Sequence, residues 1–337
     1  MLRHRRGAPV KAFHWLILAS ALAIGLSTAT VAVAQEASPM ASPDASPVAA
    51  PCVAPTLPPG TPTPMDEGTP EAPDSMADMG TPMAEASPEP GTPADEAMAA
   101  AIEAAVLNYV ACFNTGVPAN YIALSTERYL FENYGSTNPY DAIAEDEAGP
   151  SATARVLTVE NEMTYPDGRV SADVEVVFND VWFQHLRIYF VQEDGYWKLD
   201  QEIELRPEPE GDTAVVGIAL GSPENEYSIT PNTPSVATSP VLIFQAMNNG
   251  QEVHELIVLQ LPEGADPMGL MDGSVSMDQV RFIGAVWDIA PGESKPLVLL
   301  NPPPGVYTLL CFFPAPDGTP HVALGMHAQF EVTASAT

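Results

Sequence analysis

Basic side chains are scarce in this 337-residue chain. Its 12 lysines and arginines stand against 44 aspartates and glutamates, which gives a formal net charge of −32. Nucleic acids and anionic lipid surfaces are bound through clustered lysine and arginine. The charge balance therefore excludes nucleic acid as a partner, and it favours solubility outside the cell or weak association with a cationic redox partner.

Cysteine is also rare, and several catalytic motifs are missing. Cys52, Cys112 and Cys311 form no CxxC pair, which argues against a structural zinc site. There is no GxGxxG after a strand, no P-loop, no GxSxG, no HExxH, and none of the His-x-His pairs that a multicopper oxidase needs. An enzyme is therefore the weaker class of hypothesis. Sequence leaves a Cys52–Cys112 disulfide open, and Cys112 by itself fits a buried apolar side chain.

The N-terminus predicts export. A basic stretch, Met1–Trp15, precedes the uncharged apolar run Leu16–Ala34, which ends in the small residues Ala32-Val33-Ala34. This pattern predicts a signal peptide over 1–34 and a secreted, periplasmic or cell-surface protein. The run is also long enough to span a bilayer, so an uncleaved segment acting as a membrane tether is the alternative.

Residues 35–95 form a low-complexity segment with repeated Ala-Ser-Pro and Gly-Thr-Pro triplets. It offers few aromatic or branched side chains to bury, so it cannot offset the entropy cost of ordering. We interpret it as a disordered linker rich in proline, alanine, serine and threonine.

Residues 96–208 change pattern from helical to alternating. Apolar spacing predicts helices over 96–114 and 121–134, an acidic turn region over 142–149, and then four strands. Asp-Gly pairs at 167–168 and 194–195 indicate hairpins, so the domain is α+β. The segments YVACFNTG (109–116) and EDGYWKLDQEIEL (193–205) resemble the nuclear-transport-factor-2-like (polyketide-cyclase-like) superfamily.

That resemblance implies a curved sheet wrapped around a helix to form a cone, which is an active site in some members and a scaffold in many. His185 is the candidate acid or base for small-molecule chemistry if its strand face lines the cone; the alternative is a structural histidine or a histidine at a subunit contact. Domains of this kind often pair through their sheets, so a homodimer stays open.

Residues 212–337 read as many short strands separated by Pro/Gly turns, which is typical of an all-β sandwich or barrel. Two segments carry candidate ligands. NNGQEVHE (248–255) places His254 at the start of a strand. PPPGVYTLLCFFPAPDGTPHVALGMHAQFEV (302–332) contains Cys311, His321 and Met326 in that order.

These segments resemble the cupredoxins (plastocyanin, azurin and relatives), whose upstream histidine follows a polar turn and whose Cys, His and Met lie on a C-terminal loop. The resemblance implies a Greek-key β-sandwich with one type 1 copper, held by His254, Cys311, His321 and Met326. Nine residues, 312–320, separate Cys311 from His321, a longer interval than in familiar cupredoxins. His327 directly follows Met326 and is an alternative axial ligand.

The sequence thus predicts an exported mononuclear copper protein that transfers one electron or carries copper, with a redox partner it does not identify. Two alternatives stay open. One is a metal-free binding or scaffold protein of the cell surface, and the other is a protein that binds a small molecule in the middle-domain cone.

Overall fold

The computed structural model describes residues 51–63, 90–149 and 152–334. The predicted signal peptide and most of the predicted linker lie outside these ranges. The division into domains, including the boundary between 208 and 212, stays a prediction.

A helical layer opens the fold. After the short strand β1 (Thr92–Pro93) come α1 (Glu96–Phe113), α2 (Pro118–Ile122), α3 (Glu127–Tyr134) and α4 (Pro139–Ala148). Asp95 caps α1 and Thr126 caps α3, each by accepting a backbone N–H of the first turn. Helix α1 is long and apolar enough by composition to cross a membrane, but here it packs on the sheet with Ile102 and Val106 buried.

Two parts of this layer differ from the sequence prediction. The helix predicted over 121–134 is two helices, because Leu124 and Thr126 leave the helical pattern to hydrogen-bond Leu199 of the sheet. The predicted acidic turn region is helix α4, which starts at Pro139 behind the capping side chain of Asn138.

The four predicted strands of the middle region are present as an antiparallel meander. They are β2 (Ala154–Thr164), β3 (Val170–Phe178), β4 (Trp182–Glu193) and β5 (Tyr196–Glu204). Helix α1 packs on β2 and β3. This α+β arrangement was expected from the change of period; the nuclear-transport-factor-2-like assignment stays a prediction.

The C-terminal region is the predicted all-β sandwich. Its strands are β6 (Thr213–Leu220), β7 (Ile229–Pro231), β8 (Ser235–Ala237), β9 (Val241–Asn248), β10 (His254–Gln260), β11 (Arg281–Ile289), β12 (Ser294–Leu300), β13 (Gly305–Leu310) and β14 (His327–Thr333), with a short helix α5 (Gly269–Asp272) between β10 and β11. One sheet has the order β12-β9-β6-β7 and the other β11-β10-β13-β14-β8. Their facing side chains, Phe244 and Phe330 among them, form one apolar core.

The two regions share a sheet. The start of β4 pairs with β12 through Phe183–Val298 and Trp182–Leu299, so the meander continues into the sandwich as a nine-stranded sheet. Because β4 and β12 hydrogen-bond to each other there, neither strand has an unpaired edge where the two regions meet.

Residues 51–63 lie along the helices, within the predicted linker. Cys52 forms a disulfide with Cys112 of α1, so Cys112 is not the isolated buried thiol that was the simplest expectation. Val53 exchanges two hydrogen bonds with Asn108, and Thr63 donates two to Asp141. The disulfide and these hydrogen bonds offset the conformational entropy that the segment loses on ordering, which its own few apolar side chains could not do.

Candidate metal centre

Three of the four predicted ligands meet at one end of the sandwich. His254 opens β10, Cys311 directly follows β13, and His321 opens a 3-10 turn over His321–Leu324. One ligand atom from each lies within 4.8 Å of the others, and all three side chains are fully buried. The Nδ1 atoms of the two histidines are 3.1 Å apart, and the Cys311 Sγ lies 3.4 Å from the His321 Nδ1.

The loop between Cys311 and His321 folds back on itself, which accounts for its length. Pro314 and Pro320 form a β-bridge, and the Ala315 N–H donates to the carbonyl of Thr319. The His321 N–H then donates to the carbonyl of Phe313 at 2.9 Å. The extra residues therefore form a small hairpin, and His321 returns to the neighbourhood of Cys311.

Met326 lies in the same buried core. Its N–H donates to the His321 carbonyl at 3.0 Å, and its carbonyl accepts the Cys311 N–H at 3.3 Å. Its side chain is fully buried, whereas that of the alternative axial residue, His327, is partly exposed. Of the two, Met326 is the one buried with the other three residues; an axial role for it stays a prediction.

The Nε2 atom of each histidine, on the side of the ring away from Cys311, contacts a glutamate carboxylate. The His254 Nε2 lies 3.1 Å from Glu226 Oε1, and the His321 Nε2 lies 3.0 Å from Glu252 Oε2. A carboxylate accepts hydrogen bonds, so these contacts assign the proton of each imidazole to Nε2. Both Nδ1 atoms then present lone pairs toward each other and toward Cys311.

Burial sets the protonation of the three side chains. It lowers the pKa of His254, and it lowers the pKa of His321 to about 4, so both imidazoles are neutral at neutral pH. Burial, reinforced by the charge of Glu255, raises the pKa of the Cys311 thiol well above its usual value. A metal ion bound here would have to displace the thiol proton.

The arrangement fits a cation. Two bare Nδ1 lone pairs 3.1 Å apart in a buried site repel each other, and no proton is left to lie between them if both Nε2 atoms donate to glutamates. A metal ion coordinated by both nitrogens and by a thiolate removes that repulsion. Two imidazoles, a thiolate and a thioether form the donor set that selects copper among common metals.

Two glycines make the Glu226–His254 contact sterically feasible. A Cβ at Gly221 would lie 3.0 Å from His254 Nε2. A Cβ at Gly250 would overlap the Glu226 carboxylate and lie 2.9 Å from the same nitrogen. Any side chain at either position would displace the imidazole or its carboxylate partner.

Sequence reasoning missed the glutamates around the site. Glu255 is buried; its Oε1 accepts the Phe312 N–H at 2.7 Å and its own N–H points at the Cys311 Sγ at 3.5 Å. Glu252 and Glu255 flank His254 in the chain, so acidic residues beside a predicted ligand were an available signal. Glu226 lies 28 positions before His254 and gave no signal.

His185 does not take part in any site of the kind predicted for it. A cavity of about 470 Å³ lies beside the meander, and β4 lines it with Gln184, Leu186 and Ile188. Alternate residues of a strand point to opposite faces, so His185 lies on the other face, with its Nδ1 3.2 Å from the Arg206 carbonyl. The hypothesis that His185 lines the pocket is wrong.

Comparisons with known proteins give structural neighbours only. No protein-family model matches the chain, and no curated protein matches it. Among solved structures, the reduced auracyanin of Roseiflexus castenholzii is 18% identical, covers 37% of this chain and 97% of its own, and has a TM-score of 0.23. Auracyanin A of Chloroflexus aurantiacus, titled a "blue" copper protein, is 16% identical over 37% of this chain and 100% of its own, with a TM-score of 0.25. Rusticyanin of Thiobacillus ferrooxidans is 16% identical over 37% and 79%, with a TM-score of 0.27. These TM-scores are low, and the metal centre is supported by the arrangement of its own side chains.

Proposed function

We propose that the protein binds one copper ion through His254, Cys311, His321 and Met326 and exchanges single electrons with a partner. The observation that carries the proposal is the pair of histidine Nδ1 atoms 3.1 Å apart beside a buried thiol, with each Nε2 within hydrogen-bond distance of a glutamate carboxylate. Copper held by this donor set would supply a one-electron couple, since the set suits both oxidation states.

The residues around the site would keep electron transfer fast by limiting the rearrangement of the ligands. Glu226 and Glu252 hold each imidazole in one orientation and one tautomer, so the ligands need little rearrangement when the charge of the site changes. Glu255, the second residue of strand β10, accepts the backbone N–H of Phe312 and so fixes the backbone next to the thiol. A rigid donor set of this kind supports electron transfer.

Burial favours electron transfer over copper carriage. His254, Cys311, His321 and Met326 are all fully buried, so releasing the ion would require opening the end of the sandwich. A carrier would need its ligands to reach solvent or a recipient protein. Electron exchange does not need that access.

The test is spectroelectrochemistry on the copper-loaded chain. We expect a reversible one-electron couple from one copper per chain, lost in His321→Ala and retained in His185→Ala, a histidine outside the site. Rapid loss of copper to a chelator together with an irreversible couple would favour copper carriage. Absence of bound copper in the unaltered protein would leave the metal-free scaffold as the better function.

We propose further that the chain is exported and that residues 96–208 form a nuclear-transport-factor-2-like domain. The Cys52–Cys112 disulfide supports export, because such bonds persist in oxidising compartments. Mass spectrometry of the secreted protein should show Gln35 as its first residue; a chain that keeps residues 1–34 would support the membrane tether instead. The homodimer, which nothing in the described residues supports or opposes, is tested by sedimentation of the same material.

A further inference from the structure

The cavity beside the meander lies between the helices and both sheets. Its volume is about 470 Å³, within the range of small-molecule sites. Helices α1 to α4 form one side, β3 and β4 the other, and Phe282 and Trp287 of β11 close it from the sandwich. The helical region and the sandwich therefore build this cavity together.

The ionisable side chains that line the cavity are all acids or phenols. The acids are Asp146, Glu147 and Glu202, and no lysine, arginine or histidine is among the lining residues of the described chain. Four tyrosine hydroxyls join them, from Tyr109, Tyr121, Tyr129 and Tyr134. A cavity lined by carboxylate side chains and by no basic side chain repels anions and favours a cation.

Asp146 is the best-placed acid. Tyr121 and Tyr134 donate their hydroxyls to its Oδ2 at 2.6 and 2.9 Å, so this oxygen and the orientation of the carboxylate are fixed. Within the described residues, no hydrogen bond between side chains engages its Oδ1. Burial raises the pKa of Asp146, and the hydrogen bonds from Tyr121 and Tyr134 offset only part of that rise. An incoming cation would offset the cost of keeping this carboxylate charged.

An aromatic wall runs from this acid to the sandwich. Tyr121 contacts Phe113 with ring centroids 5.1 Å apart, and Phe113 contacts Phe178 at 5.9 Å. Phe178 contacts Trp182 at 5.1 Å, and Trp182 contacts Trp287 at 5.5 Å. Such a wall packs against an apolar body, and the rings nearest the acid attract a cationic head through their π faces.

We propose that this cavity binds a small organic cation, with an ammonium group at Asp146 and an apolar or aromatic body along the wall from Phe113 to Trp287. The site differs from the cone chemistry expected from sequence, since it uses Asp146 and does not use His185. It is also independent of the metal proposal, because none of the four proposed copper ligands lines the cavity.

The experiment compares three probes that share one body: 4-phenylbutylamine, 4-phenylbutanol and 4-phenylbutyrate. Binding to the full chain is measured by isothermal titration calorimetry. We expect the amine to bind at least about tenfold more tightly than the alcohol, as a charge-assisted hydrogen bond implies, and the carboxylate to bind most weakly. Equal binding of the three, or preference for the carboxylate, would overturn the proposal.

Two variants with matched controls assign the site. Asp146→Asn should bring the amine to the affinity of the alcohol, whereas Asp194→Asn, in an exposed hairpin, should change nothing. Gln184→Trp should block all three probes by filling the cavity, whereas Gln192→Trp, on the exposed end of the same strand, should block none. If Asp146→Asn proves unfolded by circular dichroism, the Gln184→Trp pair still decides: unchanged amine binding in Gln184→Trp would place the amine elsewhere and contradict the assignment.

Discussion

Glu226 and Glu252 decide which nitrogen of each histidine faces Cys311. Their carboxylates take the Nε2 protons, which leaves the Nδ1 atoms as the ligands. Burial acts to raise the pKa of Glu226, but hydrogen bonds from the backbone N–H groups of Glu252 and Gln251 lower that pKa on balance. The position of the Glu226 carboxylate thus depends on the backbone of residues 251–252, the segment that also carries the Glu252 side chain.

Neutralising Glu252 should change the redox behaviour of the site more than its fold. In Glu252→Gln the side chain can still accept from His321, but the negative charge is gone, so the reduced state is less disfavoured and the reduction potential should rise. Glu252→Leu should also weaken copper binding by about 10- to 100-fold. Both are measured by spectroelectrochemistry and competition with a chelator. Glu263→Gln, an exposed acid, is the control; an unchanged potential in Glu252→Gln would contradict the assigned role.

The metal-free protein should lose stability as the pH falls from about 6.5 to about 4. His321 has a pKa of about 4 in the folded chain against 6.5 for the free side chain, so the unfolded state takes up the proton first. Stability is therefore full above pH 6.5 and declines toward pH 4, by about 3 kcal/mol for this residue. The lowered pKa of His254 acts in the same direction.

Urea unfolding of the metal-free chain across this pH range measures the effect. Subtracting the curve of His321→Gln removes the contribution of the acidic side chains, which are common to both proteins. A difference that is flat across the range, or that grows with falling pH, would contradict the burial of a neutral His321.

At the scale of elements, the spacing of apolar residues along the sequence predicted most of the strands and helix α1. Alternating spacing in strands and helical spacing in helices follow directly from which face of the element is buried. The prediction from spacing failed where tertiary contacts decide. Leu124 and Thr126 break a helix to bond Leu199, and α4 forms at Asn138-Pro139 in a stretch too acidic to suggest a core element. Strand β8 has only three residues and is ordered by its pairing with β14, which a local sequence pattern does not show.

The candidate site was predictable to a similar extent. The order of ligand types along the chain suggested His254, Cys311, His321 and Met326, and the structure brings the first three together. The contact between Glu226 and His254 depends on the close approach of Gly221 and Gly250, which no linear pattern shows. The prediction for His185 was wrong for a different reason. Alternation assigns the residues of a strand to two faces, but it does not show which face lines the cavity.

The Cys52–Cys112 disulfide should stabilise the helical layer strongly. It closes a loop with a sequence separation of 60, which corresponds to about 4 kcal/mol in the chain-entropy description. The double variant Cys52→Ala/Cys112→Ala should therefore lower the free energy of unfolding by that order and leave copper binding unchanged. Denaturant unfolding measures the first and a copper assay the second. A variant as stable as the unaltered protein would show that the bond contributes little beyond the hydrogen bonds of Val53 and Thr63.

At the scale of the whole molecule, the shared sheet should couple the two regions. Strand β4 hydrogen-bonds to β12, and Trp182 packs on Phe282 and Trp287 across the junction. Copper bound in the sandwich stabilises only the folded state, so it should raise the unfolding temperature of every element that unfolds with the sandwich. Among the described residues, every α-helix except the short α5 lies in the first region, so the helices provide a separate signal.

We therefore expect copper to raise the melting temperature seen by far-UV circular dichroism of the helices by the same amount as that seen at the copper site. The same protein in buffer with a chelator gives the copper-free reference. A helical transition that stays at the same temperature with and without copper would show that the regions unfold independently despite the shared sheet.

Titration of the full chain with Cu(II), followed by visible absorption and a copper assay, tests the proposed metal centre directly. We expect an intense thiolate-to-copper band that saturates at one copper per chain and disappears in Cys311→Ser, while Cys52→Ala/Cys112→Ala keeps it. A chain that retains no copper, or that binds copper with the same spectrum after Cys311→Ser, would contradict a metal centre built on His254, Cys311 and His321.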